Sequence, residues 1–275
     1  MAKIYGCDYE LWDLNPLIDL IHTTATLEDL KVSTQELVEA VRGSQKEFIP
    51  KWSNLDYWFP DEFIPILSRA WGFAHSLTDE TKYAILIPLI KTTKYFSWAD
   101  EKVHKLHKSK YSKRKMGELL KSDWKMLFYK MLTREIDKLL KKIREHRQLK
   151  PKKVNYKIRA GVDTLFSELE NEVNILITSP PYLQAQEYIR STKMELFWLG
   201  YDEVYIRELS KKEIPYRPAP EIEIYSPKYH ELREKIQEDH LKTLYDRYFH
   251  SILSIFARLG EKVTNYMCIL LGPLK

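Results

Sequence analysis

The sequence predicts an α/β protein interrupted by a large helical insertion, and three observations predict it. From Lys152 onward apolar runs of strand length alternate with stretches of helical spacing, from about Leu27 to Pro151 the spacing is predominantly helical, and ahead of that insertion a short apolar approach turns through an acidic segment into a helix start. The chain therefore divides into 1–26, the N-terminal part of a sheet, 27–151, a basic helical insertion, and 152–275, the remaining α/β part.

In the first segment Lys3 to Asp8 reads as a strand end, Leu11 to Leu17 as an acidic turn containing Asp13, and Ile18 to Ile21 as a helix start. In the insertion Ser33-Thr34-Gln35-Glu36 has the form of a capping box, and Thr81 to Ile90 reads as a helix that Pro88 must kink or end, because proline lacks the N–H and crowds the preceding turn. From Leu119 to Ile143 apolar residues recur at three- and four-residue spacing, which predicts one helix of roughly 30 residues and ~45 Å. Trp124, Met126 and Met131 belong to its core-facing complement on this reading, and the opposite face is basic. The aromatic cluster Trp52, Tyr57, Trp58 and Phe59 reads as a packed lid in preference to a base-stacking platform.

In the last segment Lys157 to Gly161 is a short strand, Thr164 to Glu170 a short helix, and Val173 to Thr178 a buried strand. A helix follows and ends at Gly200, and Lys211 to Pro227, with four prolines, is a long loop. Ser226-Pro227 supplies an N-cap and a first-turn proline for a long amphipathic helix reaching Gly260, and Val263 to Leu271 is the closing strand.

The composition narrows the class of function. The chain has 275 residues, 44% of them hydrophobic and 30% charged, so it can bury a sizeable core, and disorder or collagen-like structure is excluded. Its two cysteines are too few for a disulfide framework, there is no apolar run long enough for a membrane span, and the N-terminus has no signal-peptide h-region, so a cytoplasmic location is expected. Between Lys102 and Lys157 there are 20 Lys or Arg against five Asp or Glu, whereas the rest of the chain is acidic. Such a segment attracts a polyanion through Coulomb attraction and counterion release, or else forms a solvated helix face. His104 and His107 could share a helix face there, but the surrounding lysines repel a cation, and no metal site is expected.

The most informative residues are Thr178-Ser179-Pro180-Pro181-Tyr182, directly after the apolar run Ile175-Leu176-Ile177. Two prolines cannot continue a sheet, so the backbone must leave the strand in a stiff turn at its carboxyl end, where open α/β sheets bind ligands. A hydroxyl, a fixed carbonyl and an aromatic ring suit a base turned out of a duplex: the oxygens accept from an exocyclic amine and the ring stacks on the base face. A purely structural Pro-Pro turn is the alternative.

This motif resembles that of the S-adenosylmethionine-dependent, amino-methylating DNA methyltransferases, whose Asp, Asn or Ser followed by Pro-Pro and an aromatic residue ends a sheet strand. The flanking Gln184-Ala185-Gln186-Glu187-Tyr188-Ile189-Arg190 is similar too. The resemblance implies a partial Rossmann-like methyltransferase sheet, with Ser179, Pro180, Pro181 and Tyr182 as catalytic residues. Ser in the first place is the form associated with cytosine-N4 enzymes in restriction-modification, whereas adenine-N6 enzymes carry Asp or Asn. It further implies that Asp13, with Asp8 as a rival, binds the ribose of S-adenosylmethionine, and that Asp163 faces its adenine amino group. The family's Gly-rich first turn is absent: of the eight glycines no two are separated by a single residue, and the sheet looks unfinished at both edges. The expectation is therefore a cytosine-N4 methyltransferase or a subunit of a split one, binding double-stranded DNA through 102–157, with a possible second polypeptide completing the cofactor site. A non-catalytic DNA-binding scaffold derived from such an enzyme, or a methyltransferase acting on adenine-N6 or RNA, are the alternatives.

Overall fold

The computed structural model describes every residue except 28, 29, 31, 104, 184–186 and 271–275. His104, the Gln184-Ala185-Gln186 flank and the Leu271 end of the last strand thus lie outside the described residues. In chain order the elements are α1 (Ala2–Tyr5), β1 (Tyr9–Asp13), α2 (Leu17–Ala25), α3 (Thr34–Gly43), α4 (Leu55–Trp58), α5 (Ile64–Ser76), α6 (Thr81–Tyr95), α7 (Lys110–Leu120) and α8 (Trp124–Gln148). There follow β2 (Tyr156–Ala160), β3 (Val173–Thr178), α9 (Tyr188–Ser191), α10 (Lys193–Trp198), α11 (Glu203–Lys211), α12 (Pro227–Glu234), α13 (Asp239–Gly260) and β4 (Val263–Ile269). The chain is mixed α/β with small parallel sheets, and among the described residues no helix is long and apolar enough to cross a membrane.

The described strands form two pairs, β1 with β2 and β3 with β4. Tyr9 donates to the Asn155 carbonyl and Val162 to the Asp13 carbonyl, so the first pair advances in one sense and is parallel. The second is parallel, with Ile175 opposite Tyr266 and Thr178 opposite Ile269; one extra residue of β4 is accommodated between Val173 and Ile175.

Two compact units emerge, and they cut across the three sequence segments. One consists of residues 1–11, 16–159 and 190–206, the other of 12–15, 160–189 and 207–275. The first is helical, built on a core in which Phe63, Leu67, Trp71, Ile85, Leu89, Phe96, Phe128 and Leu132 are fully buried. Phe96 meets Phe63 and Phe128 edge-on at 5.3 and 5.4 Å, and Trp71 stacks on Trp198 at 5.7 Å while donating its indole N–H to Thr93 at 2.9 Å. Trp52 stacks on Phe197 at 4.7 Å and Phe59 is buried, whereas Tyr57 is 56% exposed, so the aromatic cluster is packed only in part. The second unit has a small core of Leu165, Ile255 and Leu259, against which Trp12, Leu169, Leu176, Ile214 and Phe256 pack.

Several expected elements are corrected. The first strand is Tyr9–Asp13, not Lys3–Asp8: Ala2–Tyr5 forms one helical turn closed by Gly6 at φ 78°, and Tyr9 stacks on Tyr156 at 5.5 Å as β1 enters its pairing. Pro88 does not end its helix. The helix runs on to Tyr95, since Ile85 and Leu89 are fully buried where α6 packs on α8, and that packing outweighs the ~3 kcal/mol proline penalty. The single helix expected through Leu119 and Ile143 is two, because Ser122 returns its hydroxyl to the Leu119 carbonyl and Asp123 caps the Met126 N–H. Met126 is 65% exposed and not core. Thr164–Glu170 is not helical: Asp163 accepts the Leu165 N–H, and Arg258 takes the Thr164 and Ser167 carbonyls that a helix would use. The long helix from Ser226 also breaks, between Glu234 and Asp239, which lets Arg233 bond Asp246 through two nitrogens. The caps at Ser33 and Ser226 stand as expected, each accepting the N–H three residues on.

Candidate functional site

The site is assembled inside the second unit at the carboxyl end of β3. Val173–Thr178 forms a strand at the expected place but not a buried one, since Ile175 and Ile177 are exposed on β3, and Pro180 ends it because no N–H is left to continue the ladder. The end of β4 clamps the turn: Leu270 donates its N–H to the Thr178 carbonyl at 2.8 Å, and the Ser179 hydroxyl donates to the Leu270 carbonyl at 3.2 Å. From α13 the Tyr248 hydroxyl donates to the Pro181 carbonyl at 2.8 Å. Burial raises the Tyr248 pKa, with a contribution from Tyr188, so this donor keeps its proton.

The consequence for hydrogen bonding is specific. A serine hydroxyl that has committed its proton offers only lone pairs to anything else. The Pro180 carbonyl accepts no hydrogen bond from any described residue, and the Tyr182 ring is 47% exposed. Two oxygen acceptors and an open aromatic face are therefore presented together on a turn that is held from two other elements.

Asp13 and Asp163 stand at or just beyond the carboxyl ends of the paired strands β1 and β2. They are tied together there by the Val162 N–H on the Asp13 carbonyl at 3.1 Å, and Gly161 takes the left-handed φ of 73° that turns the chain toward Asp163. Asp13 accepts the Asn15 N–H at 2.7 Å; desolvation raises its pKa, against the lowering by that bond. Asp8 lies at the other end of β1, where it accepts the Asn155 backbone and side-chain N–H groups at 2.7 and 3.1 Å. Asp163 is already engaged: Arg217 Nη1 lies 2.6 Å from its Oδ2, and the guanidinium sits 4.9 Å from the Phe166 ring centroid.

Four residues that sequence reasoning missed act on these groups: Tyr248, Arg217, Arg258 and Glu213. Glu213 is buried and accepts the Ile189 N–H at 2.9 Å, fixing the chain just beyond the motif; desolvation pushes its pKa up to about 6. A single carboxylate in a Pro-rich loop carries no sequence signal for that role. Among the described residues no group of three His, Cys, Asp or Glu could hold a metal.

The basic segment lies in the helical unit and is not uniformly available. Lys115 is buried and paired with Glu101 at 2.8 Å, and Lys108 lies 3.4 Å from the Tyr57 ring centroid. Lys110, Lys113, Lys121, Lys130, Lys142 and Arg144 are exposed, with no ion-pair partner among the described residues. Compared with protein-family models, curated proteins and solved structures, the chain finds no match.

Proposed function

We propose that this chain is the target-base part of an S-adenosylmethionine-dependent DNA methyltransferase of Rossmann-like design, acting on the N4 amino group of cytosine in a restriction-modification setting. The observation that carries the reading is the acceptor pair at Ser179 and Pro180 beside the open ring of Tyr182. An exocyclic amine has two N–H donors. Ser179 Oγ, its proton held by Leu270, and the Pro180 carbonyl accept one each, and this turns the nitrogen lone pair out of the base plane. Tyr182 stacks the base once it has left the duplex. The bound cofactor supplies an electrophilic methyl group; the chain contributes alignment of the amine, so proximity does most of the work and no strong base is required.

The adenosine half of the cofactor fits the acids at the ends of β1 and β2: Asp13 can accept from ribose hydroxyls, and Asp163 with Phe166 already accommodates a planar group bearing N–H donors. The methionine half has no glycine-rich turn among these 275 residues, so the reading includes a second polypeptide that supplies it. Double-stranded DNA is met by the exposed cations of α7 and α8. The non-catalytic scaffold remains the second reading, favoured by the missing turn and by the occupied Asp163.

The test is transfer of labelled methyl groups to DNA by the chain together with the polypeptide encoded beside it, with nucleoside analysis of the product. N4-methylcytosine is expected. Ser179→Ala and Tyr182→Ala each lower incorporation on the order of 100-fold, with gel-shift affinity changed by about twofold or less because phosphate contacts supply most of the binding. Wild-type incorporation by both variants overturns the motif assignment, and DNA binding with no methylated nucleoside returns the scaffold.

A further inference from the structure

We infer that Arg217 is an internal stand-in for the ligand's base: its guanidinium fills the subsite made by Asp163 and Phe166, and the loop carrying it must withdraw before an aminopurine can enter. The inference rests on the reading of Asp163 as an adenine-facing acid and adds to it a residue that gates the subsite.

A guanidinium and the amino edge of adenine share three features: a flat π face, in-plane N–H donors and a rigid edge. Arg217 meets an acceptor and a ring here. Its Nη1 donates to Asp163 Oδ2 at 2.6 Å, its Cζ lies over the Phe166 ring 4.9 Å from the centroid, the far side of that ring being exposed, and the Arg217 side chain is only 14% exposed. The subsite wall is stiff, because Asp163 also accepts the Leu165 N–H at 3.2 Å and Arg258 holds the carbonyls that follow. The occupant is carried on irregular chain between α11 and α12, anchored on either side of Arg217 by Glu213, which accepts from Ile189, and by the Ile222 N–H on His250 Nδ1 at 3.0 Å. Hinging between such anchors frees Arg217 without unravelling a helix or a strand. A ligand that binds only the open state has its apparent affinity reduced by the open fraction.

The probe is 5′-methylthioadenosine, which lacks the amino-acid end and so is indifferent to the missing glycine-rich turn. Binding to the full 275-residue chain is measured by saturation-transfer NMR, with circular dichroism confirming the fold of each variant. Arg217→Ala is expected to bind at least about tenfold more tightly than wild type, as removal of a gate closed ~90% of the time requires, and adding Asp163→Asn abolishes the gain. Arg217→Lys, which keeps the charge and loses the flat face, falls between them and serves as the comparison should the alanine variant not fold. Equal affinity of wild type and Arg217→Ala, lost in both with Asp163→Asn, overturns the gate and leaves the adenine subsite standing. No binding by a folded Arg217→Ala chain, or binding insensitive to Asp163→Asn, overturns the gate and the Asp163 assignment together.

Discussion

The helical unit and the strand unit bury apolar surface very differently. In the helical unit Phe128, Leu132 and Ile136 of α8 are all 0% exposed, and buried Glu135 is met by Lys138 at 2.8 Å and by Arg134 at 3.1 Å, although the Trp52 and Trp198 indole N–H groups and the Ser68 hydroxyl are buried with no hydrogen-bond partner among the described residues. In the strand unit Ile175 and Ile177 of β3 are 53% and 68% exposed and Tyr266 of β4 is 66% exposed. Parallel strands normally carry cover on both faces. The helical unit thus buries an extensive aromatic and aliphatic core, whereas the unit carrying the candidate site leaves β-forming side chains of β3 and β4 open.

The sharpest way to break this comparison is a pair of truncations. Phe128→Ala is expected to cost ~3–5 kcal/mol in urea unfolding, and Ile177→Ala less than about 0.5 kcal/mol on the isolated chain. Equal costs would mean that the β3 face is covered in solution. Next in size is Glu213→Gln. With a pKa of about 6 when folded and 4.5 when free, the folded state holds the proton more tightly, so the contribution of Glu213 to stability falls as pH rises from 4.5 to 6, and the penalty is complete above 6. Glutamine keeps the acceptor for Ile189 and removes the buried charge; it should stabilise the chain by ~2 kcal/mol at pH 7.5 and leave it unchanged near pH 4. Thermal melts at the two pH values decide this.

Tyr248→Phe removes one buried donor from the Pro181 carbonyl, for a loss of ~1 kcal/mol; on the proposed function it slows methyl transfer while DNA affinity is retained. The smallest structural effect is expected from reversing Lys110, Lys113 and Arg114 to Glu. That variant should keep its melting temperature and flatten the dependence of log K for DNA on log salt by about one for each phosphate that is no longer neutralised. Lys115→Ala belongs to the opposite class: it takes the ion-pair partner from Glu101, which keeps the Tyr111 hydroxyl, and is read in stability, not in the salt slope.

The sequence was legible where the signal is local. Val173–Thr178 and the proline stop follow from adjacent residues, as do the Ser33 and Ser226 caps. It was illegible where long-range packing overrules a local sign. Pro88 sits inside a helix that tertiary burial sustains, and an apolar stripe passes unbroken through Ser122–Asp123 although the backbone turns there. The site divides the same way. Ser179 to Tyr182 are contiguous and readable, but their fixing partners Tyr248 and Leu270, and the Arg217 that covers Asp163, lie 67, 91 and 54 residues away. Pairings of that separation leave no periodicity behind.

The distribution of tryptophan has an optical consequence. Of the seven indoles, only Trp12 lies in the strand unit; the other six, including the stacked pair Trp71 and Trp198, belong to the helical one. Intrinsic emission from the chain is therefore dominated by the unit that does not hold the candidate site. A Trp12→Phe variant would leave the strand unit without an indole, and the difference spectrum between it and the parent, excited where tyrosine does not absorb, would isolate the single tryptophan packed against the Leu165, Ile255 and Leu259 cluster, a ready gauge of events in that core.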